Sequence, residues 1–278
     1  MAEVLTLNSD KNMVLGTWVW HVADHLKALD TLLEFLQKNS VTEAYYSINR
    51  DVSDEEYVYL IEKTAAVGIR SAALSGDCHW ILPEFRRDYE EYISRVERIN
   101  SLCKGDKFYS LHLDVEPHVL PEAKQHGLSE FIPLFVELIE NARSHADRLQ
   151  IDLEWDIPSW IYKHTDHKNN CSLTETLFRC CEAVGIMAYR DFAQGQIDIT
   201  LPNIEFAKKF NRSLIVGCET IRLDEDLRPD GNCPITYFEE GRDYMYQELS
   251  IVKRALLKEY DRTGFAIHSI EGWMSLKD

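Results

Sequence analysis

The segment FYSLHLDVE, residues 108–116, is followed by LSEFIPLFVELIENARSHADRL, residues 128–149, and then by LQIDLEWD, residues 149–156. The first and third segments are of strand length and rich in Val, Ile, Leu, Tyr or Phe, which predicts buried strands. The middle segment has apolar residues at three- and four-residue spacing, which predicts an amphipathic helix. A strand, a helix and a second strand in succession predict a parallel βαβ unit.

The same alternation runs through the whole chain. Strand-like runs occupy residues 13–20, 41–49, 68–77, 108–116, 149–156, 184–191, 213–220 and 263–271. Helical patterns occupy residues 25–39, 54–68, 85–103, 128–149, 172–183, 203–210 and 239–260. This pattern predicts an α/β fold, a (β/α)8 barrel formed by one domain over residues 1–278, whose last helix is missing or reduced to EGWMSLKD. A doubly wound open sheet is the alternative, but the first turn, WVWHVADH, lacks the glycine usual there.

The net charge of the chain indicates which partners it can bind, and its cysteine content indicates its cellular compartment. Forty-seven acidic residues against 30 basic ones give a net charge of −17, which predicts that the protein binds neither nucleic acid nor anionic membranes. Seven cysteines without a CxxC pair favour a reducing compartment. The N-terminal segment MAEVLTLNSDK is too polar for a secretory signal, and no apolar run has the length of a membrane span. We therefore expect a cytoplasmic protein, with no prediction of its oligomeric state.

Polar and aromatic residues cluster where the predicted strands end. In a (β/α)8 barrel the active site lies at the C-terminal ends of the strands, so these side chains are expected to meet there. The candidate site residues are Trp18, Trp20, Asn49, Asp77, Asp114, Glu116, His118, Glu154, Asp156, Trp160, Tyr189, Arg190, Glu219, His268 and Trp273. Loops are polar in any case, so one acid of the pair Glu154 and Asp156 can instead serve only to hold a neighbouring arginine. His118 and His268 can likewise be hydrogen-bonded structural histidines.

The stretch LHLDVEPH, residues 111–118, carries the most informative pair of acids. Asp114 and Glu116 are two residues apart, so both project from one face of an extended chain. Their mutual repulsion raises the pKa of one carboxyl group, as a general acid near neutral pH requires.

All six tryptophans of the chain lie at or near predicted strand ends. They are Trp18, Trp20, Trp80, Trp155, Trp160 and Trp273. Indole faces stack on the apolar faces of pyranose rings while neighbouring carboxylates bind the hydroxyl groups. This combination favours a small-molecule or oligosaccharide substrate, although tryptophans can also close a barrel mouth by packing.

Two of these segments resemble motifs of chitinase-type glycoside hydrolases built on a (β/α)8 barrel. LHLDVEPH resembles the fourth-strand signature D-x-D-x-E: Asp114 and Glu116 match its last two acids, and His112 stands at the position of the first. VGIMAYRD, residues 184–191, is similar to the M-x-Y-D motif of the sixth strand, with Met187 and Tyr189 matching and Arg190 in place of the aspartate. Trp273 is a counterpart of the terminal aromatic residue of the eighth strand.

A second resemblance concerns the segments WDIPSW, IMAYRD, IVGCET and FAIHSIEGW. This set is similar to a group of functionally uncharacterised bacterial barrel proteins. The resemblance supports the fold and the register of the strands rather than an activity.

The glycosidase resemblance implies one of two mechanisms. In the substrate-assisted scheme, Glu116 protonates the glycosidic oxygen while Asp114 and Tyr189 orient an N-acetyl group that acts as the internal nucleophile. In the two-carboxylate retaining scheme, Glu116 is the acid/base and Glu219 is the nucleophile, with a carboxyl separation of about 5 Å; a wider gap favours inversion.

Two other classes of function remain open at this stage. A metal-dependent sugar isomerase or epimerase would use Glu116, Asp156 or Glu154, Glu219 and His268 as ligands. Because the chain has no H-x-H or H-E-x-x-H pair, no metal and no other cofactor is predicted. The third reading is a barrel that binds a saccharide without catalysis.

Overall fold

The computed structural model describes residues 13–223 and 234–278. The N-terminal segment MAEVLTLNSDK and Cys233, both used above to predict the compartment, lie outside these ranges. The strands are β1 (Leu15–Val19), β2 (Glu43–Ser47), β3 (Arg70–Ser75), β4 (Ser110–Leu113), β5 (Asp152–Pro158), β6 (Thr165–Asp166), β7 (Cys171–Ser172), β8 (Ala183–Met187), β9 (Ser213–Glu219) and β10 (Thr263–His268).

The helices are α1 (Val22–Lys27), α2 (Leu29–Lys38), α3 (Asp54–Ala66), α4 (Arg86–Leu102), α5 (Pro121–His126), α6 (Ile132–Leu149), α7 (Leu173–Cys180), α8 (Ala193–Phe210), α9 (Arg242–Glu259) and α10 (Ile270–Ser275). No helix among the described residues combines the length and the apolar composition needed to cross a lipid bilayer.

Eight of the strands close into a parallel barrel in the order β1-β10-β9-β8-β5-β4-β3-β2. Each predicted strand run overlaps one of these barrel strands; six runs contain their strand fully, while β5 extends two residues beyond its run and β8 begins one residue before its run. The last barrel strand is followed by the six-residue helix α10. The predicted (β/α)8 barrel with a reduced final helix is therefore confirmed. The strands β6 and β7 form a separate antiparallel pair in the connection that follows β5.

Two helices differ from the pattern predicted for them. The helix expected over 25–39 is interrupted at Ala28, whose φ of −133° and ψ of 42° are not helical, and forms α1 and α2. Helix α8 begins at Ala193 instead of residue 203 and contains Pro202. Its buried face includes the polar side chains of Gln196, Thr200 and Asn203, so the apolar periodicity that predicts a helix is absent there.

Small residues make room for large side chains inside the barrel. Trp18 and Tyr45 belong to a buried interior cluster, separate from the large core between strands and helices. A Cβ atom on Gly16 would lie 2.1 Å from Tyr45 Oη, and one on Gly185 would lie 2.0 Å from Asp156 Oδ1. Glycine at these two strand positions therefore allows bulky and charged side chains to fill the barrel axis.

Candidate active site

The strand register brings the predicted polar residues together in pairs. His112 on β4 lies beside Glu154 on β5, and Glu219 on β9 lies beside His268 on β10. In a parallel barrel these positions face the axis near the C-terminal ends of the strands, where the site was expected.

His112 bridges two buried carboxylates inside the barrel. Its Nδ1 lies 2.9 Å from Glu154 Oε2, and its Nε2 lies 2.6 Å from Asp156 Oδ2. The Nε1–H of Trp18 donates to the same Asp156 oxygen at 2.8 Å, and the ring of Tyr45 stacks on the imidazole with centroids 4.0 Å apart. Although burial lowers the pKa of His112, the charges and hydrogen bonds of the two acids raise it to about 10. His112 is therefore an imidazolium that donates from both nitrogens.

The hydrogen-bonded chain continues from Glu154 to the other end of the barrel. Tyr109 Oη lies 3.1 Å from Glu154 Oε1 and 2.8 Å from Glu43 Oε2. Glu43 forms an ion pair with Arg70, whose side chain is 56% exposed. Burial and the charge of Glu154 raise the pKa of Glu43. Among residues 13–223 and 234–278, no arginine side chain binds Glu154 or Asp156 directly, so the prediction that one of them only holds an arginine does not describe this arrangement.

Asp114 and Glu116 follow β4 at the mouth of the barrel, where both side chains are partly exposed. Burial and the charge of Asp156 raise the pKa of Glu116 to about 6. Burial, Asp156 and Glu116 together raise the pKa of Asp114 well above its usual range. The Oδ1 atom of Asp114 is buried and has no hydrogen-bond partner among the described residues. The three carboxyl groups thus form one electrostatic cluster.

Glu219 and His268 form a second group at the mouth. The backbone N–H groups of Thr220 and Ile221 each donate to Glu219 Oε1 at 2.8 Å, and His268 Nδ1 lies 2.9 Å from Glu219 Oε2. Trp20 Nε1 lies 2.9 Å from His268 Nε2; since an indole nitrogen only donates, that ring nitrogen accepts and the proton is on Nδ1. Three donors therefore hold the Glu219 carboxylate in place.

Tyr189 lies next to this second group. Its ring centroid is 5.9 Å from that of His268, and burial together with Glu219 and the other acids raises the pKa of Tyr189 well above its usual range. Its phenol is therefore neutral and can donate a hydrogen bond. Arg190, at the motif position of an aspartate, donates to the Tyr189 carbonyl oxygen at 2.6 Å.

Trp160 provides a partly exposed aromatic surface at the mouth. The rings of His118 and His164 contact it edge-on, with centroid distances of 5.1 and 5.6 Å. His118 Nε2 lies 3.6 Å from Glu116 Oε2, and burial lowers the pKa of His118. Trp160 is thus connected to the acid cluster through one histidine.

Asn49 and Asp77 occupy the outer part of the mouth. Asn49 Nδ2 donates to the Trp20 carbonyl oxygen at 2.7 Å, which ties the loop after β2 to the loop after β1. Asp77 Oδ1 lies 2.7 Å from His79 Nδ1 and accepts from the His79 backbone N–H. The side chains of Asn49 and Asp77 therefore form hydrogen bonds that order the loops.

Four of the six tryptophans do not line the mouth. Trp273 is buried between α2 and α9, where its Nε1 donates to Tyr246 Oη at 3.0 Å and its ring meets Phe35 edge-on. Trp80 and Trp155 are buried against neighbouring helices, and Trp18 is 2% exposed inside the barrel. The prediction that Trp18 and Trp273 contact a saccharide is corrected accordingly, because neither indole face is accessible; Trp20 and Trp160 remain.

The residues proposed as ligands of a metal enzyme are divided between the two groups described above. Within residues 13–223 and 234–278, three ligand-type side chains come within 4.8 Å of one another at Asp77, Cys78 and His79. None of these belongs to the predicted ligand set. The metal-dependent reading therefore gains no support from the geometry.

His112 is a residue of the site that the motif comparison does not single out. In the strand-four motif it stands at the position of a missing acid, although in the run 108–116 it alternates with Asp114 and Glu116 and shares their face. That alternation was the available signal. Tyr109 and Glu43 join the hydrogen-bonded chain to Glu154 because the register of the strands brings their side chains together. No local sequence pattern reveals this.

Comparison with known proteins supports the fold. No protein-family model matches the chain, and no curated protein matches its sequence. A class V chitinase from Pseudomonas fluorescens has 10% identity and a TM-score of 0.55 over 94% of this chain and 98% of that chain. The virulence factor SghA, solved with its substrate analogue salicin, has 9% identity and a TM-score of 0.56 over 93% and 87%.

A third solved structure is the C-terminal domain of a putative chitinase from Desulfitobacterium hafniense, with 10% identity and a TM-score of 0.52. The match covers 75% of this chain and 66% of that domain, so this chain spans slightly less than two thirds of its length. The barrel is thus similar to those of glycoside hydrolases, and at these identities the likeness concerns the fold alone.

Proposed function

We propose that this protein is a glycoside hydrolase that cleaves a saccharide carrying N-acetyl groups, with Glu116 as the general acid. The observation that carries the proposal is the position and pKa of Glu116. This carboxyl group follows a barrel strand at the C-terminal face, is 27% exposed, and has a pKa raised to about 6. A general acid must be accessible to the substrate and keep its proton near the working pH, and Glu116 meets both conditions.

The neighbouring groups favour the substrate-assisted scheme over the two-carboxylate scheme. Asp114 stands two residues from Glu116, and its side chain is partly exposed at the mouth of the barrel. It can therefore accept the N–H of an acetamido group. Tyr189 is a neutral phenol nearby that can donate to the acetamido oxygen.

Glu219 is less suited to be the nucleophile. A carboxylate has about four lone-pair sites, and three donors already form hydrogen bonds with the carboxyl oxygens of Glu219. A nucleophile stabilised by three hydrogen bonds reacts more slowly, because those bonds weaken as its charge is lost. The nucleophile is then the acetamido oxygen of the substrate.

The first test compares synthetic substrates that differ only at the acetamido group. Methylumbelliferyl β-glycosides of N-acetylglucosamine and of its disaccharide are compared with the matching glucosides. The proposal expects release of methylumbelliferone from the N-acetyl compounds alone. Equal rates on the glucosides would replace the substrate-assisted scheme by the two-carboxylate scheme, and saccharide binding without hydrolysis would indicate the non-catalytic barrel.

The acid is tested by Glu116→Gln, which keeps the shape of the side chain but removes the titrating proton. Loss of a general acid costs about 100- to 10,000-fold in rate. The matched control is Glu122→Gln, the same chemical change at an exposed position on α5. Unchanged activity in Glu116→Gln would refute the assignment of Glu116.

A further inference from the structure

At the first acidic position of the strand-four motif, β4 carries His112. The third carboxyl group of the cluster instead comes from the next strand. Because β4 and β5 pair His112 with Glu154 and Leu113 with Trp155, the register places Asp156 beside Asp114. We propose that Asp156, held in place by His112, is a positioning residue that keeps Glu116 protonated for its role as general acid. The inference rests on the proposed function of Glu116.

The contacts fix the Asp156 carboxylate in one orientation. Its Oδ2 atom accepts from His112 Nε2 at 2.6 Å and from Trp18 Nε1 at 2.8 Å. Its Oδ1 atom occupies the space left by Gly185 on the neighbouring strand. Asp156 is 2% exposed and forms an ion pair with the imidazolium of His112. A buried, fixed negative charge therefore stands next to the two carboxyl groups at the mouth.

The charge of Asp156 acts selectively on the carboxyl groups at the barrel mouth. Asp156 is the charge with the largest influence on Glu116, and it raises the pKa of Glu116. Glu154 is bonded to the other nitrogen of His112 and lies two residues before Asp156 on β5, further from the barrel mouth. The two acids that share one histidine therefore have different effects, which supplies a matched control.

Other titratable groups surround this cluster and are followed in the same experiment. They are His112 on β4, Glu154 on β5, Cys78 after β3, His118 after β4, Tyr189 after β8, Glu219 on β9 and His268 on β10.

The test is a pH titration of the carboxyl ¹³C resonances of the intact protein. Glu116→Gln identifies the resonance of Glu116, which is expected to titrate at about pH 6 in the wild type. Asp156→Asn, which keeps the shape but removes the charge, is expected to lower that midpoint by roughly one pH unit. Glu154→Gln makes the same change on the same strand and is expected to leave the midpoint in place. An unchanged midpoint in Asp156→Asn, or equal shifts in both variants, would overturn the proposal.

A measurement on the wild type covers the case in which Asp156→Asn does not fold. The imidazole ¹⁵N resonances of His112 should show both nitrogens protonated at about pH 7, since its pKa is raised to about 10. A neutral imidazole would remove the ion pair between His112 and Asp156 and would refute the proposal. Because neither titration needs turnover, an inactive protein with the expected midpoints would contradict the proposed function and leave this inference standing.

Where turnover is observed, the pH–rate profile provides a second readout. The basic limb of kcat/KM reports the ionisation of the general acid in the free enzyme. Asp156→Asn should move this limb to lower pH, and Glu154→Gln should not. A lower rate with an unmoved limb in Asp156→Asn would assign Asp156 a purely structural role.

Discussion

Replacing His112 by glutamine should destabilise the barrel in a pH-dependent manner. The raised pKa of His112 means that the folded state binds the proton more tightly than the unfolded state, so its contribution is complete below the unfolded pKa and disappears as the pH rises through the folded pKa. With an unfolded value of 6.5 and a folded value of about 10, protonation contributes about 4 kcal/mol near pH 6.5, about 3 kcal/mol near pH 8 and less than about 1 kcal/mol at pH 10.

Urea denaturation of wild type and His112→Gln across this pH range measures the difference in free energy of unfolding. The side chain of His112 is 5% exposed, so solvent does not screen these pairs appreciably. The control is His145→Gln, since His145 pairs with the partly exposed Glu90 at 3.4 Å, and a surface pair contributes about 1 kcal/mol or less. A His112→Gln difference below about 1 kcal/mol at pH 6.5, or one that does not decrease towards pH 10, would refute the reasoning.

Three further changes have defined outcomes. Hydrogen bonds from His25, Ser269 and the backbone outweigh burial and lower the pKa of Glu271 to about 2. The stability difference between wild type and Glu271→Gln should therefore be about 3 kcal/mol above pH 4.5 and vanish as the pH falls to about 2, as followed by acid denaturation. Gly185→Ala places a Cβ against Asp156 Oδ1 and should cost about 1–3 kcal/mol in urea denaturation, whereas an unchanged midpoint would contradict the close approach. Trp273→Ala should cost about 3–5 kcal/mol without altering KM per folded molecule, because Trp273 packs helices and not substrate.

The sequence sufficed to predict the barrel because strand and helix periodicities are local. Each barrel strand overlaps a predicted run, and six of the eight lie entirely within one. Ser53 caps α3 as a capping box with Glu56. The prediction of helix α8 failed because some of its buried side chains are polar. Gln196 in α8 is buried but polar, since its amide binds the Ala188 carbonyl oxygen and Tyr237. A buried polar face has no hydrophobic period to detect.

The candidate site was predictable as a location and less so as a set of contacts. Asp114 and Glu116 could be recognised because they sit two residues apart at a strand end. Whether a tryptophan at a strand end faces the axis or the helices depends on strand alternation and on the following loop. The predicted contact of Trp273 with a saccharide is wrong for this reason. The role of His112 depends on the register of β4 against β5, which pairs it with Glu154, and register is a property of the closed barrel.

The most direct measurement is a crystal structure of Glu116→Gln with N,N′-diacetylchitobiose. The account predicts a sugar across the barrel mouth, with its acetamido nitrogen at hydrogen-bond distance, about 2.7–3.2 Å, from a carboxyl oxygen of Asp114. It also predicts the glycosidic oxygen at a similar distance from residue 116. A disaccharide bound elsewhere, or bound at the mouth with its acetamido group turned away from Asp114, would contradict the assignment of this site to N-acetyl sugar hydrolysis.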